Sequence, residues 1–277
     1  MTVPAPEIIV RKCGGYDEYD ACVRLQTEIW GYDASDTVPL REFIVIERIG
    51  GQVIGAFDLA RSNQHNGDGD SMIGFAMSMP AILHRQIYLH SHMLAVLPEY
   101  RNAGIGRKLK IAQREDALAR GIPRMEWTFD PLDIKNAYLN IVRLGAVVHS
   151  YTPNFYGVFS SRLQAGLPSD RLHAEWLMDS PRVEAALSGK PLSLPPIKET
   201  IFVPGAIREW KQSPETFDLA EDALATIRAK FLRAFSRSLS VVGFTKAPSE
   251  NESHPIESDG VYLESDGVYQ LAEWHEP

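Results

Sequence analysis

The strongest chemical signal in the sequence is the run Arg101-Asn102-Ala103-Gly104-Ile105-Gly106. It follows an apolar stretch (Met93, Leu94, Ala95, Val96) and a turn at Pro98, and it precedes a segment with helical spacing. A helix N-terminus leaves several backbone N–H groups without intrahelical partners and carries roughly half a positive charge. Glycines there remove the side chains that would hold an anion off, so the amides can close on a phosphate or pyrophosphate. This is where the chain is expected to hold its cofactor. Two familiar glycine loops are excluded. A dinucleotide fingerprint, G-x-G-x-x-G, fails because Leu109 stands where the third glycine is required. A P-loop fails because Arg107 follows Gly106 and no Ser or Thr is placed to hold magnesium. What remains is R-x-x-G-x-G, for which a glycine-rich turn without a ligand is the alternative reading.

The elements around this loop are legible. Ile105, Leu109, Ala112 and Ala119 recur at helical spacing, and Gly121 with Pro123 supplies a stop. From Arg124 to Phe129 the pattern alternates, with Met125, Trp127 and Phe129 on one side and Glu126 and Thr128 on the other, which predicts a strand. Asp130-Pro131 breaks it. A second helical segment runs from about Asp133 to Leu144, with Gly145 as its C-cap.

Strand, glycine loop, helix, strand, helix, strand, with R-x-x-G-x-G at the first junction, resembles the acyl-CoA core of the GNAT superfamily of N-acyltransferases, whose signature is [RQ]-x-x-G-x-[GA]. The resemblance implies an α/β (α+β) fold with a mixed, mostly antiparallel sheet flanked by helices over residues 7–178. A linker over 179–200 and a C-terminal helix-plus-strand extension over 201–277 follow. It implies acetyl-CoA or another short acyl-CoA as co-substrate. Amides from Asn102 through Ala103, Gly104, Ile105 and Gly106 to Arg107 would bind its pyrophosphate, with Arg101, Arg107 or Lys108 adding charge. Backbone groups of Leu94 and Val96 would pair with the pantetheine arm as if it were another strand. An N–H near Leu94 would meet the oxyanion where the fourth and fifth strands splay apart.

Acyl transfer to an amine also needs a proton acceptor and a route for the departing thiolate. Asp130 and Glu126, at or near the end of the fifth strand, and His92 on the fourth are the general-base candidates; Asp130 could equally organise a turn before Pro131. Many superfamily members carry N-x-x-A-x-x-L-Y-x-x-x-G, in which the tyrosine protonates the thiolate. Aligned on Ala137 and Gly145, this chain has Ile134 at the asparagine position and Ile141 at the tyrosine position. Tyr151 and Tyr156, in the phrase Y-T-P-N-F-Y-G, are the substitutes. Asn136 and Asn140, four apart on one helix face, would contact CoA or simply face solvent. A thiol pKa of about 8.5 makes a thiolate a tolerable leaving group without full protonation.

At a finer level W-T-F-D-P-L (127–132), N-A (136–137), L-G-A (144–146) and Y-x-x-N-x-Y-G resemble a poorly characterised GNAT branch, and the similarity extends to the tail RAKFLRAFSRSLSVVGF. Some members look like succinyl-CoA users that act on amino acids alongside an enolase-type racemase. N-acetyl or N-succinyl transfer to the amine of a small molecule, an amino acid first, is therefore the expected function. Arg85, Arg143 or Arg162 could meet a succinyl carboxylate. A CoA-binding sensor or scaffold that has lost catalysis is the alternative, and protein-lysine acetylation a third.

The rest of the chain is organised simply. Glu7 to Arg11 reads as a strand and Tyr16 to Trp30 as a helix. For Pro39 to Ile49 the run FIVI favours a strand and the family order a helix. Gly50-Gly51 opens a hairpin from Gln52–Leu59 to Ser71–Met79 across the polar loop SNQHNGDGD, read as exposed and mobile and without the downstream glutamate of a calcium loop. Strands are expected at Ala146–Tyr151, Asp170–Met178, Ile201–Val203 and Ser240–Lys246, with a long helix at Glu215–Leu239. That tail reads as a structural lid or dimer element. The direct repeat ESDGVYL/ESDGVYQ (257–270) reads as a short tandem duplication in a surface loop before a last strand. A net charge of −8 argues against a nucleic-acid partner. No run approaches the roughly 18 apolar residues of a membrane span. With no hydrophobic signal core and only Cys13 and Cys22, a cytoplasmic location and no metal are expected.

Overall fold

The structure, a computed structural model, describes residues 6–62, 71–83, 85–157, 164–247 and 266–275. The chain divides into two compact units, one running to Trp127 and one taking the described residues from Thr128. The expected mixed α/β fold, mostly antiparallel sheet flanked by helices, is what the chain forms.

The first unit contains β1 (Ile8–Lys12), α1 (Tyr16–Trp30), α2 (Leu40–Arg48), β2 (Gln52–Asp58), the single turn α3 (Leu59–Ser62), β3 (Met72–Leu83), β4 (Gln86–Val96), α4 (Ile105–Ala119) and most of β5 (Arg124–Phe129). Strands β1 to β4 pair antiparallel in chain order, and β5 joins β4 in parallel. Every residue of β2 is buried, so both faces of the sheet are covered. Cys22 and Leu25 of α1, Phe43 and Ile46 of α2 and Ile105 and Leu109 of α4 share one core with Phe57 and Phe75 of the sheet. For residues 40–48 the helix prevails: Phe43 and Ile46 recur at helical spacing and are buried, while Val45 points to solvent.

The second unit begins with the turn α5 (Ile134–Ala137), which runs into a π-helical turn over Tyr138–Arg143. It continues with β6 (Val147–Thr152), β7 (Arg171–Leu177), α6 (Pro181–Leu187), β8 (Glu199–Val203), the turn α7 (Ile207–Trp210), α8 (Phe217–Ser236), β9 (Leu239–Ala247) and β10 (Asp266–Glu273). The strand order is β7-β6-β9-β10-β8. Leu224, Ile227 and Phe231 of α8 are buried at helical spacing, and Phe231 meets Tyr151 of β6 and Tyr269 of β10 with ring centroids 5.4 and 5.1 Å apart. Tyr269 is fully buried and donates to the Pro131 carbonyl at 2.9 Å, satisfying its one polar group.

Three expectations change in detail. The segment read as a linker carries α6, capped by the Ser180 hydroxyl, which accepts from the Val183 amide at 3.3 Å, with Pro181 in its first turn. The helix after Asp133 is not regular, because it widens to π geometry before Gly145, whose φ is +79°. The second copy of the heptapeptide repeat is no loop, since its residues 266–270 are part of β10, where alternate burial of Gly267, Tyr269 and Leu271 satisfies a strand. The first copy and the Asn/Asp/Gly stretch 63–70 lie outside the described residues. No helix among the described residues is long and apolar enough to cross a membrane.

Candidate functional site

In the first unit β4 leads into the loop. After β4 the Leu97 amide donates to the Ile73 carbonyl at 2.9 Å, and a 3-10 turn at Pro98–Tyr100 reverses the chain. Tyr100 fixes that turn by donating from Oη to buried Asp58 at 2.6 Å. Gly74 lets β3 approach the end of β4, since a Cβ there would lie 2.5 Å from the Ala95 carbonyl oxygen. Arg101, Asn102, Ala103 and Gly104 are exposed. Asn102 (φ +65°) and Gly104 (φ +77°) are both left-handed, a conformation that asparagine tolerates and glycine adopts without strain.

Gly104 is the N-cap of α4, and no side chain caps the helix. Its first turn holds no acidic residue, and Gly104 has open space where a Cβ would stand. The amides at Ile105, Gly106 and Arg107 therefore open a 15-residue helix whose first turn carries no acidic side chain. Ile105 is buried and anchors the turn, while Gly106 and Arg107 are half-buried. Arg101 turns back to donate from Nε to the Val96 carbonyl at 3.2 Å. These features fit a pyrophosphate.

The edge of β4 supplies the second feature. Its parallel pairing with β5 is confined to Leu89 with Met125 and His90 with Glu126. Residues 91–96, which include Leu94 and Val96, pair only with β3 among the described residues. The register with β3 shifts between Met77 opposite Met93 and Ser78 opposite Ser91, so His92 is the extra residue of a bulge. The strands thus part where an acyl-pantetheine arm would lie, a feature the sequence does not encode locally.

Among the proton acceptors of this unit, His92 is more than a third exposed, yet the surrounding protein pulls its imidazole below the ordinary 6.5 by loss of hydration. It is therefore neutral, and a proton acceptor, at pH 7. Its ring lies 6.3 Å from that of His90. Glu126 is held by Arg124 through Nε and Nη2, both at 2.8 Å. Both contacts fall on Oε1, so a guanidinium is paired with this carboxylate.

The remaining candidates belong to the second unit. Asp130 accepts from the Leu132 amide at 2.8 Å and faces Lys211 at 3.5 Å, which is the geometry of a turn organiser. Tyr151 is buried and donates to Asp170, whose two oxygens are also bonded by Arg228 at 2.7 and 2.9 Å. Burial first, then that carboxylate, push the phenol far above its ordinary value. Tyr156 is exposed, with its hydroxyl 3.0 Å from Thr128 Oγ1. Asn140 is buried and donates to Asn136 at 3.1 Å, while the Asn136 amide caps back on Asp133 at 2.9 Å. Arg85 is exposed with φ +70°, Arg143 is exposed at the end of the π turn, and Arg162 lies outside the described residues.

Sequence reasoning missed Lys110. It is fully buried on α4, and its Nζ donates to Ser91 at 2.7 Å and sits 3.7 Å from the Trp127 ring centre. No carboxylate among the described residues offsets the burial, which drives its pKa well below 10.5. The signal was available: Lys110, Gln113 and Ala117 form a second buried row beside Ile105 and Leu109. Arg182 of the second unit was missed as well, because it stands inside the segment read as a linker.

Residues 13–136 match the Acetyltransferase (GNAT) family. No curated protein matches the chain. Among solved structures, the ribosomal-protein-S18-alanine N-acetyltransferase of Escherichia coli is 14% identical over 63% of this chain and 96% of its own, with a TM-score of 0.46. The yncA protein of Salmonella typhimurium, solved with its cofactor acetyl-CoA, is 16% identical over 63% and 95%, with a TM-score of 0.45. Ard1 of Thermoplasma volcanium is 13% identical over 61% and 95%, with a TM-score of 0.43.

Proposed function

We propose that this chain, whose residues 13–136 match the GNAT acetyltransferase family, transfers an acetyl or succinyl group from acyl-CoA to the amine of a small molecule, an amino acid being the acceptor class. One observation carries the reading: the uncapped start of α4, reached through left-handed Asn102 and Gly104, follows directly on the stretch of β4 that has parted from β5. A bound acyl-CoA supplies the thioester that an amine can attack. The chain's residues do the rest. The amides of Ile105 to Arg107 bind the pyrophosphate, Arg101 and Arg107 add charge, and the open edge of β4 at Leu94 and Val96 orients the arm. His92 takes the proton from the amine, because it is neutral at pH 7 and stands at the bulge beside that edge.

The test follows free-thiol release from acetyl-CoA and, separately, succinyl-CoA against pooled D- and L-amino acids and polyamines. Release that depends on the amino-acid pool supports the proposal and identifies the donor. CoA binding without release from any pool supports the second reading, a binding protein that has lost catalysis. Two observations favour that reading: Ile141 replaces the usual tyrosine, and Glu126 is occupied by Arg124.

A further inference from the structure

A cavity of about 550 Å³ lies wholly within the second unit, between the start of β6, β7, α6 and the proline-rich stretch 191–195. That volume is within the range of small-molecule pockets, roughly 300–1,000 Å³. Its walls are mainly apolar, with Val147, Leu177, Leu194 and Trp274 prominent among them. Into this apolar setting the fold places Arg182. Its Nε donates to the Gly145 carbonyl at 2.9 Å and its Nη2 to the Val242 carbonyl at 2.6 Å, so the guanidinium is held rigidly. Trp274 covers it, with the ring centre 5.3 Å from Cζ. The third nitrogen, Nη1, is buried and has no hydrogen-bond partner among the described residues. No carboxylate is paired with this cation among the described residues, and burial alone pulls its pKa down to about 10.

A rigid, partly desolvated arginine without a counter-charge is costly for a fold to keep, and buried charges are ordinarily paired. We propose that this cavity is a binding site for a small carboxylic acid with an apolar body, its carboxylate neutralised by Arg182 and its body packed against Leu177, Leu194 and Trp274. With Nε and Nη2 given to carbonyls, Nη1 is the nitrogen that meets a carboxylate oxygen, in a charge-assisted hydrogen bond. A phosphate monoester fits less well, because it brings nearly two charges. The cavity also presents the carboxylate of Glu175, which stands 4.0 Å from His149. The inference is independent of whether the first unit transfers acyl groups.

Calorimetric titration of the full chain with 3-phenylpropionate, hexanoate and indole-3-acetate, each beside its primary amide, tests the site. At least one acid is expected to bind about ten-fold or more tighter than its amide, as charge-assisted hydrogen bonds require. Arg182→Gln should abolish that preference and Arg182→Lys should retain part of it. Since Arg182 also ties two carbonyls, Ala185→Trp serves as a second variant: it fills the cavity from α6 without touching those bonds. It should remove acid binding while leaving the thermal midpoint unchanged. Equal binding of acids and amides, binding of neither, or acid binding that persists in Ala185→Trp would each overturn the proposal.

Discussion

Replacing Gly104 by aspartate separates what this residue does for the fold from what it does for an anion. A non-glycine residue in the left-handed region costs roughly 1–2 kcal/mol, least for Asp and Asn, whose side chains bond locally. Gly104 has φ +77° and nothing within 4 Å of a Cβ, so no steric term is added. An aspartate at this N-cap also bonds the first amides and faces the positive end of α4, which returns about 0.3–1 kcal/mol. The net cost is about 1 kcal/mol or less, and the thermal midpoint should stay within about 4 °C of wild type. Binding is another matter. A carboxylate about 4 Å from one phosphate charge repels it by about 1 kcal/mol in bulk water and about 4 kcal/mol at an effective dielectric constant of 20. That is a loss of about five-fold to several hundred-fold in affinity for CoA. Gly104→Ala carries the backbone strain without the charge, and should change CoA affinity by less than about three-fold. Calorimetric titration with CoA, beside thermal unfolding of the three proteins, gives the comparison. An aspartate variant that binds CoA as wild type does would refute the placement of the pyrophosphate.

Further outcomes follow from the same geometry. Turnover should fall as pH drops through the lowered pKa of His92, and His92→Gln should cut it by about 10²-fold or more with CoA affinity unchanged; a flat pH profile removes His92 as the base. Lys110→Met should cost less than about 1 kcal/mol at pH 7 in denaturant unfolding, because the wild-type amine is buried with no carboxylate beside it among the described residues. The depressed pKa means that the wild type gains stability as pH rises toward 10.5, so the variant's relative standing should worsen at pH 9.5. Glu18 is buried, which raises its pKa, but Arg11 and the Gly14 amide outweigh that and hold it below 4.5. Its contribution is complete above pH 4.5 and disappears as pH falls through the folded value, so Glu18→Gln should flatten the acid limb of the stability curve. Trp176→Phe leaves the Leu144 carbonyl without its 2.6 Å partner and opens space in the second core; a loss of about 2–4 kcal/mol is expected, and a thermal midpoint within 2 °C of wild type would contradict it.

Much of the loop and its helix was local information. Gly104 and Gly106 between an apolar stretch and a 3.6-residue period are enough to place a turn and an open helix start, and α4 and β5 begin and end where that pattern does. Pro39 with the spacing of Phe43 and Ile46 contained the helix α2, although the run of β-branched residues between them pointed to a strand. Irregular geometry was not legible. The π turn at Tyr138–Arg143 and the bulge at His92, in the pairing of β4 with β3, have no residue signature of their own.

The sequence by itself determined the left-handed corner at Gly104, the amphipathic faces and the absence of a tyrosine at position 141, because each depends on one residue or on a short period. Tertiary structure alone decided what each polar side chain faces. Glu126 reads as a base until Arg124 closes on it, Asp130 until the Leu132 amide and Lys211 occupy it, and Tyr151 as an acid until Asp170 and Arg228 lock it into a core. Sequence reasoning singles out neither Lys110 nor Arg182, yet the fold turns both inward with no carboxylate paired to either among the described residues. Charge chemistry depends on hydration and on neighbours brought together from far along the chain, and a linear pattern specifies neither.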